Sequence, residues 1–283
     1  MPLTQFLGRS FKTVNVVLIS TALAVSGCVM APSAQELAAT QDECSRFRTP
    51  FTAISTERDQ RIARFAQIGA GAGAIVGQQI ARRSDQDQLA GALIGLIAGA
   101  ALGATAGYFN DLQRRASTTE GLQRAVNGDA SRDLRETDRL VTAMTSLNAC
   151  RLRQIAQVEA SVRAGGDRNS AAATLRQIRQ KVAVDNRVIE AVVGDLTRTR
   201  NLYIGALNQT GADTDNFVAS IRQYQPQVVT PQRTSLRIDR AQRPQTNSPV
   251  ANLGYAEREL SAGAAAHVQT IDAALNQLND LLI

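Results

Sequence analysis

The chain has 283 residues, 44% of them apolar, with 4% aromatic residues and no tryptophan. Long stretches of alanine, leucine, glutamine, arginine and glutamate suit helices packed on helices and argue against a β-rich core. The net charge of +6 does not point to nucleic acid as a partner: the arginines are scattered among acids at helical spacing with no basic block, the pattern of solvated helix faces. An anionic membrane surface near the glycine-rich segment described below is the other reading of that charge.

The N-terminal residues MPLTQFLGRSFKTVNVVLISTALAVSGC place Arg9 and Lys12 before an apolar run, Val14 to Val25, and end in small residues. This is the order of a secretory signal, and the run of about 12 residues is too short to span a bilayer. Val25-Ser26-Gly27-Cys28 resembles a bacterial lipobox. The resemblance implies removal of residues 1–27 and lipid on the sulfur and amino group of Cys28. An ordinary cleaved signal with a chance cysteine is the alternative. Several acyl chains, each contributing about 0.8 kcal/mol per buried CH₂, hold a protein stably at a membrane. Val29 after the cysteine, rather than an aspartate, favours the outer membrane by the sorting pattern of such lipoproteins. Residues 28–35 read as a tether.

A first bundle helix is expected over 36–64, with an interruption near Thr49-Pro50, because proline disfavours the helical conformation of the residue before it. Cys44 and Cys150 are the two cysteines left after the anchor. In an exported chain they make one possible intramolecular disulfide; two buried thiols or intermolecular bridges are the alternatives. Straight helices separate them. Cys44 lies about 30 Å before Arg64, and Cys150 about 58 Å after Asp111. The pairing therefore requires a bend, expected within 116–131, where Gly121 and Gly128 fall.

Residues 65–109 read as a helical hairpin, with apolar arms Phe65–Ala81 and Leu89–Phe109 around the charged turn RRSDQDQ, and Arg61, Arg64, Arg114 and Arg115 at its feet. The second arm would reach about 31 Å, close to the hydrocarbon thickness of a bilayer. Glycine recurs at every fourth position, at Gly69, Gly73 and Gly77 and again at Gly91, Gly95, Gly99, Gly103 and Gly107. Five glycines cost a helix in water roughly 4–5 kcal/mol. In lipid, where helices associate by close backbone packing, small residues at this spacing repay that cost. Each step drifts by about 40° around the helix. Gly91–Gly99 can therefore face the first arm, while Gly103 and Gly107 would face another copy of the protein. The segment resembles the glycine zippers of small SlyB-type outer-membrane lipoproteins, which implies a structural or stress-related envelope role without known chemistry. Those proteins are short, whereas this chain continues well past the hairpin. A soluble, tightly packed hairpin tip is the alternative.

Residues 110–225 read as a helical bundle region. Apolar residues recur at Leu134, Val141, Met144, Ile155, Val158 and Val162, and AGGDRNS at 164–170 reads as a turn with Asn169 or Ser170 as N-cap. The next helix carries a heptad-like seam, Leu175, Ile178, Val182, Asp185, Ile189, Val192, Leu196, Thr199, Tyr203 and Ala206, and is expected to run on towards Tyr224. Asp185 reads as a residue at a partly wet edge; a buried polar layer that selects register is its other reading. Pro226, Pro231, Pro244 and Pro249 mark 226–250 as an extended linker. A C-terminal helix over 251–283 carries Leu260, Ala264, Val268, Ile271, Leu275, Leu278 and Leu282.

No nucleophile–base pairing is legible, and no cofactor motif: GAGAIVG at 71–77 lacks the spacing and preceding strand of a dinucleotide loop. The single histidine, His267, has no clustered ligands for a metal and reads as a surface or groove residue. The expected fold is all-α, a long antiparallel helical bundle or coiled coil carrying a glycine-zipper hairpin. The expected function is that of a non-enzymatic envelope lipoprotein whose partners are membrane lipid, further copies of itself and an envelope protein. A helical pore-forming protein is the rival reading.

Overall fold

A computed structural model describes residues 32–54, 56–57, 60, 107–230 and 236–283. The expected signal, Cys28 and the glycine positions Gly69, Gly73, Gly77, Gly91, Gly95, Gly99 and Gly103 lie outside the described residues. The described residues form an all-α bundle built on three long helices, joined by short helices and one two-stranded β-pair. In chain order these are α1 (Ala34–Ala39), α2 (from residue 45), α3 (107–115), α4 (Thr119–Arg163), α5 (Arg168–Gln209), α6 (Asp215–Gln223), β1 (Val228–Val229), β2 (Arg237–Ile238), a single 3₁₀ turn (Arg240–Gln242) and α7 (Pro249–Leu282).

The three long helices run up, down and up. Asp133 meets Tyr203 and Arg151 meets Asp185, so α4 and α5 are antiparallel. Met144 lies against Gly263 and Asn148 against His267, so α7 runs parallel to α4. All ten residues of the α5 seam are buried. The main core lies between the three helices, and a second cluster, with Ile155, Leu175, Ile178, Ile271 and Leu275, fills the far end.

Several boundaries differ from expectation for identifiable reasons. The break before α4 is confined to 116–118, where the Thr118 side chain caps the helix by accepting from the Gly121 amide. Gly121 and Gly128 lie inside α4; no heavy atom lies within 4 Å of where a Gly128 Cβ would stand, so that glycine leaves no packing defect. The cap of α5 is Asp167, whose carboxylate accepts from the Asn169 and Ser170 amides, not Asn169 or Ser170 themselves. The preceding turn needs Gly165, at φ +84. The α5 helix stops at Gln209, where Gly211 at φ +76 turns the chain into α6, so it does not continue to Tyr224.

The expected helix 36–64 is interrupted at 40–44 instead of at Pro50. Asp42 and Ser45 bond to each other there, and Asp42 also caps the Cys44 amide. Pro50 sits within α2, where it removes a single helical hydrogen bond. The described residues 226–230 and 236–248 form a packed strap, not a free linker. Leu236 and Ile238 are buried, and Val228 and Val229 pair antiparallel with Ile238 and Arg237. The strap is latched by Arg243, which binds Glu259 of α7 and Asp138 of α4. Gly263 lets it close on the bundle: a Cβ there would stand 2.2 Å from Met144 Cε and 2.6 Å from Ile238 Cδ1.

Candidate functional site

The described residues that bracket the glycine segment are docked on the three-helix bundle. On the N-terminal side, Cys44 and Phe51 are fully buried; on the C-terminal side, Tyr108 and Leu112 are buried. Gly107 opens α3 and is itself buried. Residues 107–109, expected at the end of the second apolar arm, are therefore part of the bundle. The Tyr108 ring lies 5.4 Å from that of Tyr203, and its hydroxyl donates to Asp129. Tyr203 donates in turn to Asp133. Arg115, expected as a charged foot, pairs with Asp111 and Asp129.

The N-terminal flank is held by a covalent bond and by buried charge. Cys44 and Cys150 form a disulfide with Cα atoms 5.7 Å apart, so the expected pairing holds, and the helix break at 116–118 lies within the stretch where the bend is expected. Beside it, Asp185 of α5 is fully buried, which overturns its reading as a wet-edge residue. Its Oδ1 accepts from Arg48 Nη1 at 3.1 Å and its Oδ2 from Arg151 Nε at 2.7 Å. Arg48 also donates to Thr40 Oγ1 and to the Leu37 carbonyl, which fixes α1 over α2. Arg151 reaches on to Asp42, which Lys181 and Gln154 also contact.

Burial disfavours the charge on Arg151, but the Asp185 and Asp42 carboxylates more than offset it, and its pKa is raised. Burial likewise opposes the charge on Asp42, yet the bonds from Arg151 and Gln154 and the charge of Lys181 hold its carboxyl well below the usual carboxylate range. For Asp185, burial is the larger effect and pushes the carboxyl up against the pull of both guanidinium groups.

His267 is fully buried, so it is not the surface or groove residue expected. The Leu236 amide donates to Asn148 Oδ1 at 3.0 Å, which leaves the Asn148 NH₂ to donate to His267 Nδ1 at 3.1 Å. That order puts the imidazole proton on Nε2. Burial first, and the nearby Arg151 charge second, push its pKa down to about 4. An unfolded histidine titrates near 6.5, so between these values the unfolded chain binds more protons and stability rises with pH. The protein is expected to lose about 3 kcal/mol from this group between pH 7 and pH 4. Urea midpoints at the two pH values should show that loss in wild type and its removal in His267→Gln. An identical pH dependence in both proteins would contradict a buried neutral imidazole.

Among the described residues, one group of side chains comes within metal-ligand reach of one another: Glu43, Cys44 and Cys150. Both sulfurs are committed to the disulfide, which leaves a single carboxylate and no metal centre there. No described helix is long and apolar enough to cross a membrane. The residues missed by sequence reasoning, Arg48, Arg151, Asn148 and Asp42, carried one usable signal: Asn148 and Arg151 continue the α4 seam between Met144 and Ile155.

Comparisons with protein-family models, with curated proteins and with solved structures give no match.

Proposed function

We propose that the chain is a non-enzymatic lipoprotein of the bacterial envelope, lipidated at Cys28, favouring the outer membrane, in which the bundle serves as a rigid clamp for a glycine-zipper hairpin. One observation carries this reading. The Cys44–Cys150 disulfide, with a sequence separation of 106, closes a covalent ring that contains the whole glycine segment, and both flanks of that segment are packed into one core. A ring of this kind turns a hairpin root into a fixed platform, as a scaffold that packs helices in or on a membrane requires. A structural disulfide also fits an oxidising compartment, the compartment that the signal-like and lipobox-like residues 1–28 imply.

With Gly107 and Tyr108 in the bundle, the second arm keeps residues 89–106, about 27 Å if helical. Gly91, Gly95 and Gly99 would pack against Gly69, Gly73 and Gly77, and Gly103 would face a second copy. Membrane lipid, further copies of the chain and an envelope protein are the partners in this reading.

Fractionation of cells expressing wild type and Cys28→Ser, with mass spectrometry of the N-terminal peptide, tests the anchor. Wild type should begin at a triacylated Cys28 and sediment with outer membranes, whereas Cys28→Ser should keep its signal or lose the outer-membrane position. An unmodified Cys28 inside a longer mature chain would overturn the reading.

A further inference from the structure

We propose that a groove between α5, α6 and α7, on the bundle itself and independent of the anchor, binds a small organic anion: a carboxylate or phosphate joined to an apolar body. The groove has a volume of about 430 Å³, within the range of small-molecule sites. Each of the three helices contributes one arginine to its lining, Arg200, Arg222 and Arg258. Glu257, the acid in the lining, is already committed, because one carboxylate oxygen accepts from Thr197 and the other from Arg200. Arg258 spends only its Nε, on the Tyr224 carbonyl at 2.7 Å. Its two terminal nitrogens make no hydrogen bond or ion pair among the described residues, and neither does the whole guanidinium of Arg222. Arg200 is engaged through Nη1 with Glu257 and through Nη2 with Asn201 Oδ1, and only its Nε is buried without a hydrogen-bond partner.

Three guanidinium groups against one committed carboxylate leave a formal excess of two positive charges in the groove. Its apolar side includes Ile204, Val218 and Ile221. Low-dielectric walls strengthen the field of such a cluster, and the open guanidinium edges of Arg222 and Arg258 match the oxygens of carboxylate and phosphate. Arg222 is exposed and makes no hydrogen bond or ion pair among the described residues, so its guanidinium is free to meet a ligand on the groove. The apolar side favours an anion carrying a hydrocarbon group over a bare inorganic ion. Such an anion comes either from a soluble metabolite or from a lipid head group with short exposed chains.

Titration calorimetry on the full chain tests the site with phenyl phosphate and with dihexanoyl phosphatidic acid below its micelle concentration. Inorganic phosphate and benzyl alcohol supply the charge and the ring separately. At least one of the two amphiphilic anions should bind saturably, and the tighter of them identifies the source. The two controls should bind about tenfold more weakly or worse. Arg222→Gln should weaken binding by about tenfold with an unchanged melting temperature. Ala262→Leu, which fills the groove, should abolish it, and Arg139→Gln, on exposed α4 surface, should leave it intact. Absence of saturable binding to wild type would overturn the proposal. So would controls that bind as tightly as the anions, or Arg139→Gln weakening binding as much as Arg222→Gln.

Discussion

Asp185→Ala is expected to lower unfolding stability by about 3–5 kcal/mol, a large share of a typical total. The carboxylate is inaccessible to water and is shared by Arg48, 3% exposed, and Arg151, fully buried. Removing it leaves two guanidinium groups inside the bundle, one held by Asp42 and the other by a hydroxyl and backbone carbonyls. The cost is mainly that of stranded charge, not the net strength of the ion pairs. Removing all the charges together should therefore be milder: Asp185→Leu with Arg48→Met and Arg151→Met should recover a large part of the loss. Denaturant midpoints at constant m-value measure both effects. A loss below about 1 kcal/mol for Asp185→Ala would mean that the cluster does not pin α1 and α2 to the bundle.

The second large effect is expected at the disulfide. A cross-link with a sequence separation of 106 restricts the unfolded chain by about 4–5 kcal/mol in the loop-entropy account, and removing native disulfides typically costs about 2–5 kcal/mol. The loss should be local before it is global. The seams of α4, α5 and α7 do not need the bond, whereas residues 32–60 reach the bundle through short helices, Phe51 and the Asp185 cluster. In Cys44→Ala/Cys150→Ala, or in wild type under reductant, limited proteolysis should cut within 32–60 well before it cuts α4 or α5. Equal protection with and without the bond would show that the cluster alone holds the N-terminal arm.

The long helices were legible because their apolar spacing is regular. Every residue of the α5 seam from Leu175 to Ala206 is buried, and Leu260, Ile271, Leu275 and Leu278 of α7 fall on its core face. Glycine and proline misled where tertiary contacts outweigh local preference. Gly121 and Gly128 do not break α4 because they lie off its most buried face, and Pro50 does not break α2. The four prolines of 226–250 suggested a free linker, but Leu236, Ile238 and Arg243 anchor that stretch.

The polar interior was not legible, since its partners are distant in sequence. Arg48 and Asp185 are 137 residues apart, and Asn148 and His267 are 119 apart. A lone histidine and a lone seam aspartate each look solvated until the facing residue is known. The disulfide was expected from the cysteine count and the signal-like order of the N-terminal residues, and it required a bend between Cys44 and Cys150; the described chain leaves the helix at 116–118.

Cross-linking in native membranes tests most directly whether the bundle supports a glycine-faced hairpin that associates in the bilayer. Wild type should cross-link into a defined oligomer; Gly103→Leu should reduce it to monomer, and Gly95→Leu/Gly99→Leu, which unseats the arm that carries Gly103, should do the same. Unchanged stoichiometry in both variants would contradict the account.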